Sequence, residues 1–251
     1  LYFSQKTPYV SHVEIDANLA QISQHNFEIL NAKNIQSFNA NGISFLSQYK
    51  ERFDWIYLDP SRRNLKKGKV FFLEDYTPDI TKHFDLLFSK ASSILLKTAP
   101  LLDISVGIKT LKHVKEIHIV AVNNEVKELL WVLKDGFTEE PSIKTVNFKK
   151  NNRETFDFKA SEETRSTSTL SEPEKYLYEP NASLLKSGAF KLIGQRFKLK
   201  KLHQHTHLYT SDKLICFPGR RFTIQEVFPY HKSAINNLAD KKANIATRNF
   251  P

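Results

Sequence analysis

The sequence predicts an α/β protein in which a doubly wound, mostly parallel sheet is followed by a smaller α+β domain. Short apolar runs alternate with helix-like patterns as far as residue 148. This alternation is typical of strands joined by crossover helices. A polar, Ser/Thr-rich segment then interrupts the chain at 161–172, and the residues after it differ in charge and in pattern. These observations predict two domains of different class.

The first part of the chain alternates between strands and helices. A strand at 9–16, YVSHVEID, precedes a helix with apolar residues at 19, 22, 27 and 30. A helix over 77–91 is predicted to start with Thr77 as its cap and Pro78 at its first position. The segment NNEVKELLWVL, 123–133, is predicted as a turn or short helix. Further strands are predicted at 35–38, 53–60, 92–100, 116–122 and 142–148, and further helices in NGISFLSQY and VGIKTLKHV.

These patterns place a first domain at 1–160, a linker at 161–172 and a second domain at 173–251. In the second domain, 181–197 is predicted to be helical and KLHQHTHLYTS, 201–211, to be an alternating strand. A Pro-Gly turn follows, and then a helix in HKSAINNLADKKA and a strand in NIATRNF. Because LYFSQ runs directly into a strand pattern and RNFP ends without a closing element, we expect the first domain to be truncated at its start and the second at its end.

The composition is that of a globular protein: 251 residues, 40% of them hydrophobic and 25% charged. The single cysteine, Cys216, excludes an internal disulfide framework and favours a reducing compartment. No apolar run approaches the roughly 18 residues of a membrane span, and no signal peptide is visible. The sequence therefore predicts a cytoplasmic protein that does not bind membranes.

The net charge of +10 is unevenly distributed. Residues 173–251 carry 14 lysines and arginines against 5 acids, whereas the preceding residues carry 23 against 22. This asymmetry predicts a nearly neutral enzymatic core joined to a module that binds a polyanion. A basic protein with a solvated lysine surface explains the charge equally well.

Two polar residues follow predicted strands of the first domain. Glu14 lies at the end of a strand, where a carboxylate can accept hydrogen bonds from the two hydroxyls of a ribose. Strand ends often carry acids, and the glycine-rich loop that should precede such a residue is absent. Asn41 could contact the edge of an adenine, but an asparagine before Gly42 also suits a turn. Both interpretations stay open for each residue.

The stretch FDWIYLDPSRR, 53–63, joins an apolar strand directly to a charged loop. Pro60 prevents continuation of the strand, and the Asp59 carboxylate could accept a hydrogen bond from a substrate amine. The five basic residues that follow could contact phosphate: Arg62, Arg63, Lys66, Lys67 and Lys69. Most charged runs are solvated loops, but ligands bind at the carboxyl ends of strands in open α/β sheets. We therefore interpret this loop as a substrate-side loop.

The second domain carries two further candidate features. The alternation in HQHTH would place His203, His205 and His207 on one strand face as a possible metal cluster. With one cysteine and few nearby acids, we favour surface or RNA-facing histidines and predict no metal. The stretch FPGRRF displays Arg220 and Arg221 between two phenylalanines, which suits looped or single-stranded RNA. Buried phenylalanines that flank an exposed turn are an equally good explanation.

Four sequence motifs and their order resemble those of the class I S-adenosylmethionine-dependent methyltransferases: HVEID, NANGISFL, FDWIYLDPSRR and ILLKTAP. The phrase LDPSRR is similar to the Asp-Pro-Pro-Tyr type loops of base methyltransferases. With YLYEPNASLLKSGAF, KLHQHTHLYTS, FPGRRF and ANIATRNFP, the chain looks like the bacterial methyltransferases that carry a carboxy-terminal THUMP-like domain. The resemblance implies a Rossmann-like sheet of seven strands with the last antiparallel, S-adenosylmethionine as the cofactor, and a structured RNA, either tRNA or rRNA, as the substrate.

The resemblance also implies roles for particular residues. The cofactor would be bound by Ser4, Glu14, Ile15, Asn41 and Asp59. Asp59, Pro60 and Arg62 would form the catalytic loop. RNA would be bound by Arg62, Arg63, Lys66, Lys67, Lys200, Lys201, Arg220 and Arg221. The sequence departs from the family in lacking the glycine-rich motif, and in having Ser61 and Arg62 where the loop usually has a second proline and an aromatic residue.

Three functions therefore stay open. The first is methylation of an RNA base, guided by the basic tail domain. The second is RNA binding by a catalytically degenerate methyltransferase fold, which the missing glycine-rich motif would suit. The third is methylation of a small molecule or a protein, which predicts no RNA affinity and no dependence of binding on salt.

Overall fold

The computed structural model describes residues 1–62 and 73–229 of the chain. These residues divide into two compact units. The first unit comprises 1–95 and 105–112, and the second comprises 96–104 and the chain from 113 onward. The helix and strand predicted after residue 230 lie outside the described residues, as do Arg63, Lys66, Lys67 and Lys69.

The first unit begins with alternating strands and helices, as predicted. A 3₁₀ helix at Phe3–Gln5 precedes them. The elements are β1 (Val10–Glu14), α1 (Ala17–Ile29), β2 (Ile35–Asn39), α2 (Gly42–Gln48), β3 (Phe53–Leu58), β4 (Ser61–Arg62), β5 (Tyr76–Thr77), α3 (Phe84–Lys90), β6 (Ala91–Thr98) and α4 (Ile104–Thr110). Strands β1 and β2 pair in parallel with Val10 opposite Ile35, and β3 lies beside β6. The predicted strand-helix alternation of this part of the chain is confirmed.

Local capping explains where the first two helices begin. The Asp16 carboxylate accepts hydrogen bonds from the Asn18 and Leu19 amides at the start of α1. The Asn41 side chain accepts from the Ile43 and Ser44 amides at the start of α2. In both cases a short polar side chain satisfies helix N–H groups that have no partner within the helix.

The predicted helix over 77–91 is wrong at its start. Thr77 belongs to β5, which pairs with β4, and the Thr77–Pro78 peptide bond is cis. Asp79 instead caps a 3₁₀ turn at Ile80–Lys82, and α3 begins only at Phe84. The first helical turn starts after Asp79 because its carboxylate, rather than the Thr77 hydroxyl, accepts the hydrogen bond of a free N–H group, that of Thr81, at 3.1 Å.

The second unit contains a mixed sheet rather than a mostly parallel one. The strands β7 (Val114–Val122), β8 (Glu125–Lys134), β9 (Ser142–Lys149) and β10 (Asn152–Lys159) lie in the order β10-β9-β7-β8. Only β7 and β9 pair in parallel; the other two pairs are antiparallel. The buried Trp131 of β8 donates its indole N–H to the Thr98 hydroxyl at 2.9 Å.

The prediction of a turn or short helix at 123–133 is therefore wrong beyond its first two residues. Asn123 and Asn124 form the turn, with φ of 50° and 66°, and β8 follows directly. Asparagine tolerates the left-handed region, and a two-residue turn can join only antiparallel strands. Residues 150–151 separate the antiparallel strands β9 and β10, without positive φ values.

A smaller four-stranded sheet lies further along the second unit. Its elements are α5 (Ala160–Arg165), β11 (Tyr176–Pro180), α6 (Ala182–Ser187), α7 (Phe190–Phe197), β12 (Lys200–Lys201), β13 (Tyr209–Ser211) and β14 (Gly219–Thr223), with strand order β12-β13-β11-β14. Residues 160–165, predicted mostly as linker, are thus helical. The helix predicted at 181–197 is broken by Gly188, whose φ is 79°. The strand predicted at 201–211 is two short strands separated by a turn that contains the histidines.

The two faces of this smaller sheet differ. Tyr178 and Tyr209 are opposite each other on β11 and β13, and both are fully buried. Leu177 and Phe222 are opposite each other on the other face, where Phe222 is 44% exposed. None of the helices in the described part of the chain is both long and apolar enough to cross a membrane.

Candidate functional site

The carboxyl ends of β1 and β2 are tied together by Asn39. Glu14 and Asn39 are opposite each other in the last register position of the parallel pair. The Asn39 amide donates to the backbone oxygens of Glu14 at 2.9 Å and Ile15 at 3.1 Å. The Ala40 N–H also donates to Glu14 O at 3.1 Å. These bonds hold the strand end in place and present the Glu14 side chain at this edge of the sheet.

The sequence analysis did not identify Asn39. The sequence does contain a clue to its role, since Asn39 is a polar residue at the end of the strand that precedes Ala40 and Asn41. The strand register was needed to show that Asn39, and not Asn41, lies opposite Glu14.

The other predicted cofactor residues around β1 have separate local contacts. A Glu14 carboxylate oxygen accepts from the Asp16 N–H at 2.8 Å, and the side chain is half-buried. Ile15 is 67% exposed. Ser4 lies in the 3₁₀ helix and donates its hydroxyl to Leu1 O at 2.7 Å. The cofactor roles predicted for these residues stay predictions.

Asn41 has the local role that the sequence left open. Its side-chain oxygen accepts from Ile43 N at 3.0 Å and from Ser44 N at 3.1 Å, which caps α2. The turn-and-cap interpretation is what the structure shows. A contact between Asn41 and an adenine stays a prediction.

The Asp59 loop begins where β3 ends. Asp59 is exposed and Pro60 is buried directly after the strand. Ser61 and Arg62 then pair with Thr77 and Tyr76, so that the backbone after Pro60 is fixed in a short antiparallel ladder. The basic residues Arg63, Lys66, Lys67 and Lys69 of the predicted loop lie outside the described residues.

The basic residues predicted to bind RNA in the smaller sheet contact this chain's own groups. Lys200 forms an ion pair with Glu174. The Arg220 guanidinium pairs with Glu179 at 2.5 Å and lies over the Phe222 ring, 5.7 Å from its centroid. Arg221 donates to Ile215 O at 3.3 Å. Lys200 and Arg220 would therefore have to break an ion pair with an acid of this chain before either could bind a phosphate.

Lys201 is the least accessible of these predicted RNA ligands. It is only 4% exposed, and its ammonium donates to the backbone oxygen of Gln204 at 3.0 Å. Burial lowers the pKa of Lys201, since a charged ammonium is poorly solvated there. Its position favours a role in holding the 203–206 turn rather than contact with a phosphate.

The histidines do not share one strand face. His203 and His205 lie in the turn, with ring centroids 5.4 Å apart. His207 instead stacks on Phe190 at 3.7 Å between centroids. Within residues 1–62 and 73–229, no group of three or more histidine, cysteine or acidic side chains could hold a metal ion. The single-face arrangement predicted from the alternation is wrong because the chain turns at 203–206.

A network of amides and one carboxylate, which the sequence analysis missed, connects the two sheets of the second unit. Glu154 on β10 accepts from the Asn147 and Asn181 side-chain amides, both at 3.0 Å, and also pairs with Lys149. The Asn124 side chain accepts from Ala182 N at 2.8 Å. Burial opposes ionisation of Glu154, but these hydrogen bonds and the Lys149 charge outweigh it and lower the pKa of Glu154.

An open cleft of about 890 Å³ lies along α1 and β2. Its lining is largely polar and includes Gln21, Gln24, His25, Gln36 and Asn39. None of the predicted cofactor or catalytic residues lines this cleft, although Asn39 at its end is bonded to the Glu14 backbone. The cleft runs along the helix, whereas the predicted site lies at the strand ends.

Comparisons with known proteins cover both parts of the chain. Residues 176–218 match a ferredoxin-like domain family. A crystal structure described as that of a "putative methyltransferase" from Porphyromonas gingivalis W83 is similar over 93% of this chain, with 31% sequence identity and a TM-score of 0.85. No curated protein matches the sequence.

The comparisons therefore show a mixed α/β fold, shared with a protein described as a methyltransferase, that includes a ferredoxin-like domain. This chain spans 59% of the length of that neighbour. The THUMP-like character that the resemblance implied for the second domain is not shown.

Proposed function

We propose that this chain belongs to an S-adenosylmethionine-dependent methyltransferase. The main support is the arrangement at the carboxyl ends of β1 and β2. There the Asn39 side chain bonds to the backbone of Glu14 and holds the end of β1, so that the Glu14 carboxylate lies at this edge of the sheet. A carboxylate at such an edge suits the two hydroxyls of a ribose. The similarity to the P. gingivalis protein supports the same class of reaction.

The residues at the ends of β1 and β2 supply part of what a site for S-adenosylmethionine requires. Glu14 supplies an acceptor for ribose hydroxyls, and Ser4, Ile15 and Asn41 are the other residues we propose for this pocket. A glycine-rich loop is not found in residues 1–13. S-adenosylmethionine, when bound, supplies an electrophilic methyl group, so the protein needs mainly to position the nucleophile.

The chain's own residues would do that positioning at the end of β3. The exposed Asp59 carboxylate would accept a hydrogen bond from the target amine and orient its lone pair. The buried Pro60 and the β4–β5 ladder would hold this carboxylate in place. Arg62 would contact a phosphate of the substrate, and the proton lost from the amine would pass to solvent.

Equilibrium binding of S-adenosylmethionine tests this function. Isothermal titration should show binding that Glu14→Ala weakens by about tenfold or more, because two hydrogen bonds to a charged acceptor are lost. The matched control is Glu139→Ala, which removes an exposed carboxylate in the second unit. Equal affinity in the wild type and in Glu14→Ala would contradict the assignment of Glu14. Absence of S-adenosylmethionine binding by the wild-type chain would contradict the enzyme function and favour the catalytically degenerate alternative.

We further propose a structured RNA, either tRNA or rRNA, as the substrate, with base methylation guided by the second domain. The basic composition of 173–251 supports this proposal. The ion pairs of Lys200 and Arg220 weaken it, so the exposed Arg221 and also Arg62 would have to bind the RNA. Methylation of a small molecule or a protein is the alternative if no RNA binds.

The salt dependence of RNA affinity tests the substrate. Fluorescence anisotropy with unmodified tRNA should give an affinity that falls steeply with salt. Arg220→Ala/Arg221→Ala should reduce the slope of log K against log salt by about 1, because Arg221 is exposed whereas Arg220 is already paired with Glu179. The control Lys115→Ala/Lys127→Ala removes the same charge from β7 and β8. RNA affinity that is insensitive both to salt and to the arginine substitutions would contradict the RNA proposal.

A further inference from the structure

The turn between β9 and β10 combines basic residues with an exposed aromatic ring. We call residues 148–153, FKKNNR, the hairpin tip; all six are exposed, three of them are basic and none is acidic. The charge count over residues 1–172, which is nearly neutral, conceals this local concentration. The hairpin tip is therefore a positively charged patch on the second unit.

Two of the three cations of the hairpin tip are available to a ligand. Lys149 pairs with Glu154. Among the residues that the structure describes, neither Lys150 nor Arg153 has an ion pair or a side-chain hydrogen bond. Lys150 and Arg153 could therefore bind a phosphate without breaking an existing contact.

Phe148 supplies an exposed ring beside these cations. It is 45% exposed, and it is opposite both Arg153 on β10 and Val122 on β7. Residues opposite each other in a sheet point to the same face, so the three side chains form one row on that face. An exposed aromatic ring beside an arginine is a combination on which unpaired bases stack.

The opposite face of the hairpin is fixed to the rest of the second unit. Asn147 and Glu154 occupy the next register position, so their side chains point away from the face that carries Phe148. Glu154 accepts hydrogen bonds there from the amides of Asn147 and Asn181. The Asn123 N–H also donates to Phe148 O at 2.8 Å. These bonds hold the ring in place before a ligand binds, which reduces the entropy lost on binding.

We propose that the hairpin tip binds a single-stranded stretch of the RNA substrate. One base would stack on Phe148, and Lys150 and Arg153 would contact neighbouring phosphates. Strands β7 and β9 are parallel, so the hairpin tip lies at the carboxyl ends of both, where open α/β sheets bind their ligands. A double helix fits this site less well, because its base faces are covered by the neighbouring base pairs. This site rests on the RNA substrate proposed above and assigns the residues that would hold an unpaired part of it.

Fluorescence anisotropy with labelled oligo(U) tests the stacking contact. The wild-type chain should bind oligo(U) more tightly than the same oligonucleotide annealed to oligo(A). Phe148→Ala should weaken oligo(U) binding by about tenfold without changing its salt dependence, because one base stack is lost and no charge. Phe148→Tyr should retain the affinity. Phe148→Leu should lose it as Phe148→Ala does, because leucine is apolar but has no aromatic face.

The salt dependence of the same binding tests the phosphate contacts. Lys150→Ala/Arg153→Ala should reduce the slope of log K against log salt by about 1.4, since each phosphate contact with a single strand contributes about 0.7. The matched control is Lys33→Ala/Lys50→Ala, which removes two exposed lysines of the first unit and should leave the slope unchanged. Circular dichroism should show that every variant is folded, because all the substituted positions are exposed.

Several results would overturn the hairpin site. Oligo(U) affinity that is unchanged in the Phe148 variants and in Lys150→Ala/Arg153→Ala would do so while leaving the RNA substrate in place, as would an equal loss in Lys33→Ala/Lys50→Ala. Failure of the wild-type chain to bind oligo(U) would also overturn it. Titration of S-adenosylmethionine separates this site from methyl transfer. Cofactor affinity should be the same in all hairpin variants, and its absence in the wild type would contradict methyl transfer alone.

Discussion

Glu116 on β7 is held by two side chains of the second unit. Its carboxylate contacts the His118 imidazole and the Lys144 ammonium, both at 2.9 Å. Burial favours the neutral acid, but the hydrogen bonds from Lys144 and His118 outweigh this and lower the pKa of Glu116. Glu154 has a lowered pKa for similar reasons. Both acids stabilise the fold in their ionised form.

The stability of the second unit should therefore fall in acid. A carboxyl group whose folded pKa is lowered contributes fully above its unfolded pKa, about 4.3 for glutamate. That contribution disappears as the pH falls through the folded pKa. Glu116→Gln should lose about 1 kcal/mol of unfolding free energy at pH 7 in urea titrations, and this loss should shrink towards pH 3. A loss of the same size at pH 3 and pH 7 would contradict an ionic role for Glu116.

At the scale of elements, the pairing of β11 with β14 depends on a close approach of two backbones. Gly219 at the start of β14 is opposite Pro180. A Cβ atom added at Gly219 would lie 2.1 Å from the backbone oxygen of Glu179 and 3.0 Å from the backbone nitrogen of Asn181. No side chain larger than hydrogen fits there, because the obstructing atoms belong to the backbone.

Gly219→Ala should therefore destabilise the smaller sheet, by about 2 kcal/mol or more of unfolding free energy in urea titrations. The matched control is Gly42→Ala at the first position of α2. An added Cβ atom meets nothing within 4 Å at Gly42, and alanine favours helix over glycine by about 0.5–1 kcal/mol. The control should be neutral or slightly stabilising. Equal effects of the two substitutions would contradict the close approach.

At the scale of the whole molecule, the proposed functions differ in two measurable properties. An RNA methyltransferase binds both S-adenosylmethionine and RNA; a degenerate RNA-binding protein binds only RNA; and a small-molecule or protein methyltransferase binds only the cofactor.

The local elements were largely predictable because their signals are local. The apolar residues at 19, 22 and 27 predicted α1, although Asp16, which was assigned to the preceding strand, is the cap of this helix. The apolar run at 53–58 and the proline that ends it predicted β3. The prediction for residues 123–133 was wrong because a short apolar run is compatible with either a helix or a strand. Only the left-handed turn at Asn123 and Asn124 decides between them. The 203–206 turn was missed because period-2 alternation continues through it.

The sequence by itself determined the alternation of strands and helices in the first unit, the charge asymmetry and the position of Asp59 after β3, since each depends on residues adjacent in the chain. The tertiary structure alone decided that the larger sheet of the second unit is mixed, that Asn39 is opposite Glu14, and that Lys200, Lys201 and Arg220 contact the chain itself. These features depend on strand register and on partners distant in sequence, including Glu179, which lies 41 residues from Arg220. Contacts between residues so far apart in the chain could not be predicted from a single sequence.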